Sequence, residues 1–188
     1  MATIEVRLLG EDDWREYRHI RLQSLLDSPA AFSTTYDEEA ARPDSYWRER
    51  MGSADRLLAV RDGQPEGVVT LHQSQGQGEE SMGEVLGLWV VPERRNTGVA
   101  WRLVEAAVER ATALGLSKVS YWVSTENGRA LAFATNFGFR PTSMRRTMQA
   151  SSEEFGDQEI ALVMALSQDI ASAPNPTAPA MTSKPGPR

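Results

Sequence analysis

The sequence predicts an α/β (α+β) domain: a central mixed, mostly antiparallel, twisted sheet of about seven strands flanked by helices, with one parallel strand pair. Three observations carry this expectation. Short runs at Ile4–Leu9, Leu57–Arg61 and Glu66–His72 have the composition and alternation of half-buried strands. Apolar residues then take helical spacing at Val99, Leu103, Ala107, Ala111 and Leu114, between two more strand-like runs. Turn chemistry falls between these segments, at Ser28-Pro29, Asp62-Gly63-Gln64-Pro65 and Leu114-Gly115.

Taken in order, Ile4 to Leu9 is the first strand, and Glu11-Asp12-Asp13 supplies capping chemistry for a helix carrying Trp14, Tyr17, Ile20 and Leu25. That helix should stop near Ser28-Pro29. An irregular stretch with Phe32 and Tyr36 leads to a second helix opened by Pro43-Asp44-Ser45-Tyr46-Trp47. Leu57–Arg61 and Glu66–His72 form a hairpin, and Glu84 to Val91 adds a third consecutive antiparallel strand after a polar loop over residues 75–83. The helix from Val99 ends at Leu114-Gly115, with glycine at C′. Lys118–Ser124 follows that crossover, so it should run parallel to the strand before it. A helix from Glu126 to Phe137 ends at Gly138, and Phe139–Met148 and Glu159–Leu166 complete the sheet around a turn at residues 153–157. Residues 1–166 read as one domain, and 167–188 as a Pro-rich, disordered tail without periodicity.

Composition narrows the chemistry. The chain has 188 residues, 40% of them hydrophobic, enough for one full core. Its net charge is −6, and the segment from Ser167 carries Asp169 against Lys184 and Arg188, which leaves −7 for residues 1–166. That balance argues against a nucleic-acid partner and hints at a cationic acceptor. The absence of cysteine excludes disulfides, thiolate metal sites and a cysteine nucleophile, leaving His19 and His72 for imidazole chemistry. Neither a leader-like N-terminus nor a long apolar run is present, so no membrane and a cytoplasmic location are expected.

The most informative stretch is Val85-Leu86-Gly87-Leu88-Trp89-Val90-Val91, followed by Pro92-Glu93-Arg94-Arg95-Asn96-Thr97-Gly98-Val99-Ala100 and the long helix. Small residues at 98 and 100 allow close backbone approach, and the first N–H groups of the helix lack intrahelical acceptors at the positive end of its dipole. A diphosphate suits such a turn. The spacing Arg95-x-x-Gly98-x-Ala100 resembles the acetyl-CoA motif of the GNAT acyltransferase superfamily, and Asn127-x-x-Ala130 with Phe137-Gly138-Phe139 resembles its second motif. Walker-type and dinucleotide-type glycine loops are absent.

The resemblance implies the GNAT fold, with acetyl-CoA as co-substrate between the two parallel strands where they splay, and no metal. Leu88, Trp89 and Val90 would meet the pantetheine arm, and the amides of Asn96, Thr97, Gly98, Val99, Ala100 and Trp101 would hold the diphosphate behind Arg95. Val90 N–H becomes the candidate oxyanion donor. Asn127 is either a helix cap or a cofactor contact, or both, while Phe133, Phe137 and Phe139 read mainly as core residues, with Phe133 the best exception as a cofactor contact. An alkylamine of pKa ~10.4 must lose a proton before it attacks, and Glu84 is the candidate base, with an exposed strand-end carboxylate as the alternative reading. Glu126, Ser124 and Tyr36 stand behind it, and Phe32, Tyr36 and Ser124 are expected at the acceptor pocket. His72 and His19 read as structural or solvated.

Two departures bear on activity. Ala134 stands where many family members carry the tyrosine that protonates the departing thiolate. Trp122 stands where ribosomal-protein N-terminal acetyltransferases often carry glutamate, which argues against that subclass. The expected activity is acetyl transfer to a primary amine of a small molecule, or of a peptide, by direct attack. A catalytically silent acyl-CoA-binding module is the alternative, and an interaction module acting through the tail a third reading. The C-terminal strands leave a homodimer open.

Overall fold

The computed structural model describes residues 3–74, 81–147 and 158–166. Seven strands, β1 (Glu5–Leu8), β2 (Asp55–Arg61), β3 (Gln64–Ser74), β4 (Met82–Val90), β5 (Lys118–Ser124), β6 (Arg140–Thr147) and β7 (Gln158–Ala165), form one sheet in the order β1-β2-β3-β4-β5-β7-β6. Only β4 and β5 pair in parallel; every other pair is antiparallel. The helices are α1 (Trp14–Asp27), α2 (Tyr36–Ala40), α3 (Asp44–Met51), α4 (Val99–Ala113) and α5 (Gly128–Phe137).

Each face of the sheet has its own core. On one, α4 lays Val99, Leu103, Val104, Ala107 and Ala111 against Leu57, Ala59, Val69 and Leu71 of the β2–β3 hairpin. All five α4 residues are fully buried, and each larger side chain there contributes about 1.5–3 kcal/mol. On the other face, Trp14, Tyr17, Ile20 and Leu25 of α1 and Trp47 of α3 cover Leu58, Val68 and Trp89. Tyr17 and Tyr46 meet the Trp47 ring edge-on, at centroid distances of 6.1 and 5.5 Å. Because α1 and α3 pack over only part of this face, the rest is left open, and the cleft described below runs from their edge across the open part of β2–β5 to β7.

The short α2 replaces the irregular stretch expected around Tyr36. Thr35 and Glu38 form a reciprocal capping box at its start, a signal too brief to register as periodicity. The helix positions Glu39, which is 1% exposed and accepts hydrogen bonds from Arg21 (Nη2 at 2.9 Å), Arg50 (3.3 Å) and Thr34 (2.7 Å). α5 begins at Gly128 rather than Glu126, because Asn127 is its N-cap. Phe139 precedes β6 as a fully buried core residue, so that strand starts at Arg140. The expected tail, the turn over 153–157 and most of the polar loop fall outside the described residues.

Candidate functional site

β4 and β5 are in register from Met82↔Lys118 to Val85↔Tyr121 and then part. The cause lies in β4. Gly87 has φ +59°, and Gly87 and Leu88 together oppose the single residue Val69 between the pairs Thr70↔Leu86 and Val68↔Trp89. Such a bulge bends and twists its strand. Beyond it, β4 keeps β3 on one edge and has no strand on the other. Val91 N–H donates to Glu66 C=O at 2.9 Å, on the β3 side. Strand alternation therefore turns Val90 N–H toward the open edge.

Past β4, a 3-10 turn over Pro92–Arg94 leads to Asn96 at φ +63° and Gly98 at φ +91°, the residue that starts α4. The first backbone bond closed by α4 runs from Arg102 N–H to Gly98 C=O, at 3.1 Å. The N–H groups of Val99, Ala100 and Trp101 precede it without intrahelical acceptors, beside the exposed residues 95–98. Uncommitted amides at the positive end of a 15-residue helix, next to an open strand edge, fit a diphosphate joined to an extended amide-bearing arm, as in acetyl-CoA.

The Arg95 side chain does not point outward from this loop. Its Nε donates to Val90 C=O at 3.1 Å, and its Nη2 pairs with Asp27 at the end of α1. Asp27 also accepts the Trp89 indole N–H at 2.9 Å. Hydrogen bonds from Ser28 and Trp89, reinforced by Arg95, hold the Asp27 carboxyl below its ordinary range. Thr97 Oγ1 donates to Arg94 C=O at 2.7 Å, which closes the turn.

The parted strands open into a cleft of about 1130 Å³. Leu88, Ser124, Glu126, Asn127 and Phe32 line it, while Tyr36 packs into the α1–α3 core. Asn127 caps α5 by accepting Ala130 N–H at 3.0 Å. Phe133 stacks edge-on with Trp101, 6.4 Å between centroids, joining α5 to α4. Glu84 accepts Arg146 Nη1 at 3.0 Å, and the same guanidinium reaches Glu159 at 2.6 Å and covers the Trp122 ring at 4.3 Å. The candidate base is thus already ion-paired. Ala134 is fully buried in the core and contributes nothing to the cleft.

Several residues that line the cleft were not assigned to the site by the sequence. His72 stands directly across from Glu84 in the β3–β4 register and lines the cleft. Its alternation with Thr70 and Val68 was visible, but which face stays uncovered depends on where α1 and α3 end. Tyr121 lines the cleft while packing against Phe139 at 6.1 Å. Burial, with the nearby Glu159 charge, pushes its phenol up to about 12. Arg56 fell just outside the apolar run read as a strand, and it also lines the cleft.

A sheet whose one parallel pair opens beside a glycine turn and a helix N-terminus is the architecture shared with the solved acetyltransferases it superposes on. The chain belongs to the acetyltransferase (GNAT) family, whose sequence model matches residues 14–139. It is 26% identical over 135 residues to a mycothiol acetyltransferase of Kocuria rhizophila, matching over 70% of its own length and spanning 43% of that relative. A GNAT-family acetyltransferase from Streptococcus pneumoniae superposes with TM-score 0.71 at 19% identity, covering 88% of this chain and all of the other. The protein yncA of Salmonella typhimurium, solved with its cofactor acetyl-CoA, gives 0.67 at 14% identity over 93% and 99% of the two chains. Naa50 of Arabidopsis thaliana, in complex with the bisubstrate analogue CoA-Ac-MVNAL, gives 0.64 at 13% over 87% and 99%. At these identities the superpositions establish the shared fold. Among the described residues no helix is long and apolar enough to cross a membrane.

Proposed function

We propose that the chain is an N-acetyltransferase that moves an acetyl group from acetyl-CoA to the primary amine of a small molecule. The observation that carries this reading is the junction of the β4–β5 opening with the free amides at the start of α4, leading into one cleft. Acetyl-CoA supplies the activated thioester. The amides of residues 96–101 hold its diphosphate, Leu88 and Val90 align the arm along the open strand edge, and Val90 N–H faces the reacting carbonyl. Glu84, six residues before Val90 on β4, and His72, directly across from it on β3, receive the proton released by the amine through a chain of water.

Tyr121 takes the place left by Ala134 at the departing sulfur. A phenol titrating at about 12 is ~3.5 log units weaker an acid than a thiol of pKa ~8.5, so Tyr121 stabilises the thiolate as a hydrogen-bond donor without giving up its proton. Tyr121→Phe should lower kcat roughly 10-fold or more and leave the affinity for acetyl-CoA unchanged. Equal kcat in stopped-time thiol assays would remove Tyr121 from the mechanism.

The core placement of Ala134 favours a second reading, an acyl-CoA-binding module without turnover. Calorimetric titration with acetyl-CoA, followed by thiol detection against a panel of amines, separates the two. Saturable one-site binding with turnover supports the enzyme, binding without turnover across the panel supports the module, and no binding by folded protein removes both.

A further inference from the structure

The acceptor end of the cleft holds a cation without a counter-ion. Arg56 is 3% exposed, lines the cleft, and forms no ion pair among the described residues. Its Nη1 donates to Ala54 C=O at 2.7 Å, its Nη2 meets Ser53 Oγ at 3.4 Å, and its buried Nε has no partner. The guanidinium lies over the Tyr17 ring, 4.7 Å from its centroid. A guanidinium does not escape burial by deprotonation, so an uncompensated one is a standing electrostatic cost. Arg21 and Arg50 line the same wall, and both are tied to one carboxylate, Glu39. The four side chains together leave this end at +2. Burial would raise the Tyr17 phenol, yet the charges of Arg50, Arg56 and Arg21 together hold it below its ordinary range.

The far end has the opposite sign. Glu126 and Glu159 line it with Arg146, which leaves −1 among the lining side chains, and Glu84 on β4 pairs with the same Arg146 guanidinium behind them. Arg56, Thr70 and Leu86 stand in register on three adjacent strands, so the Arg56 backbone is about 10 Å from β4 where it opens. A flexible arginine and a ligand a few carbons long bridge that span.

We propose that the acyl acceptor is a zwitterion: an amine that lies toward the acidic end and an anionic group, carboxylate or phosphate, that docks on Arg56 with Arg50 beside it. This rests on the acetyltransferase reading for the role of the amine, while the anion subsite stands on Arg56 itself. It reverses the hint of a cationic acceptor given by net charge, which describes the whole surface and not the cleft.

The test titrates the full chain, with and without CoA, with 5-aminopentanoate, 4-aminobutyl phosphate and the neutral 5-aminopentanamide. The carboxylate or the phosphate should bind at least 10-fold more tightly than the amide, and whichever is tighter identifies the anion. Arg56→Met should erase the preference, and Arg56→Lys, which keeps the charge but loses the planar fork, should retain part of it. In parallel, the anions should raise the unfolding temperature of the wild type and not that of Arg56→Met. Equal binding of the amide, no binding of any of the three, or a preference that survives Arg56→Met would overturn the proposal. Acetyl-CoA titrations of the same proteins keep the two readings apart. Normal acetyl-CoA binding without anion preference sinks the subsite alone, and Arg56-dependent anion binding without acetyl-CoA binding sinks the cofactor reading alone.

Discussion

Gly98→Glu should weaken acetyl-CoA binding by at least 100-fold while the far-ultraviolet circular dichroism of the protein stays that of the wild type. The position has φ +91°, and a Cβ placed there would meet no atom within 4 Å. A side chain therefore fits sterically, and the folding cost is the left-handed backbone, about 1–2 kcal/mol. The cost to the ligand is larger. A carboxylate some 5 Å from a diphosphate, at an effective dielectric near 20, meets about 3 kcal/mol of repulsion per phosphate charge, and 1.4 kcal/mol is a factor of ten in affinity. Gly98→Ala separates the contributions, since it carries the backbone strain without the charge and should bind within about 10-fold of wild type. If Gly98→Glu binds acetyl-CoA normally, the diphosphate does not sit at the start of α4.

Glu39→Ala should be the most damaging single substitution to stability, by about 3–5 kcal/mol, because it strands the buried Arg21 and the half-buried Arg50 without their shared carboxylate. For a domain of this size that lowers the unfolding temperature by about 10 °C. Burial raises the Glu39 carboxyl, but Arg21, Thr34 and Arg50 overcome it and leave its pKa below the ordinary value. A carboxyl that is more acidic in the folded state stabilises fully above its unfolded pKa of ~4.3, and the contribution is lost as pH falls through the lower folded value. The stability difference between wild type and Glu39→Gln should therefore be constant near neutrality and shrink in acid below about pH 4. Thermal melts across that range decide it, and a difference that does not change with pH would remove the charge from the account.

The sheet was legible in the sequence because strand alternation and turn residues are local properties, and the parallel pair followed from the length of the crossover through α4. The glycine turn was legible for the same reason: Gly98 is required by the backbone conformation of its own position. What sequence could not supply was which side chains the folded chain brings to one wall. Arg56 and Tyr17 are 39 residues apart, and only the packing of α1 on β2 sets one over the other. Arg95 shows the same limit: its motif position pointed to the phosphate loop, and only the fold shows its guanidinium also paired with Asp27 at the end of α1. His72 read as structural or solvated from its strand, and the structure leaves it exposed on the open face, lining the cleft.

The fastening of the loop from Pro92 to Gly98 has a thermodynamic side. Arg95 is bonded to Val90 C=O and paired with Asp27, and Thr97 is bonded to Arg94 C=O, all within the chain itself. Immobilising a long side chain on binding costs about 0.5–1.5 kcal/mol, a penalty that falls on affinity when a loop orders around its ligand. Here those bonds are made during folding, so on the proposed reading a diphosphate would meet a loop already fastened and retain more of its contact energy as affinity.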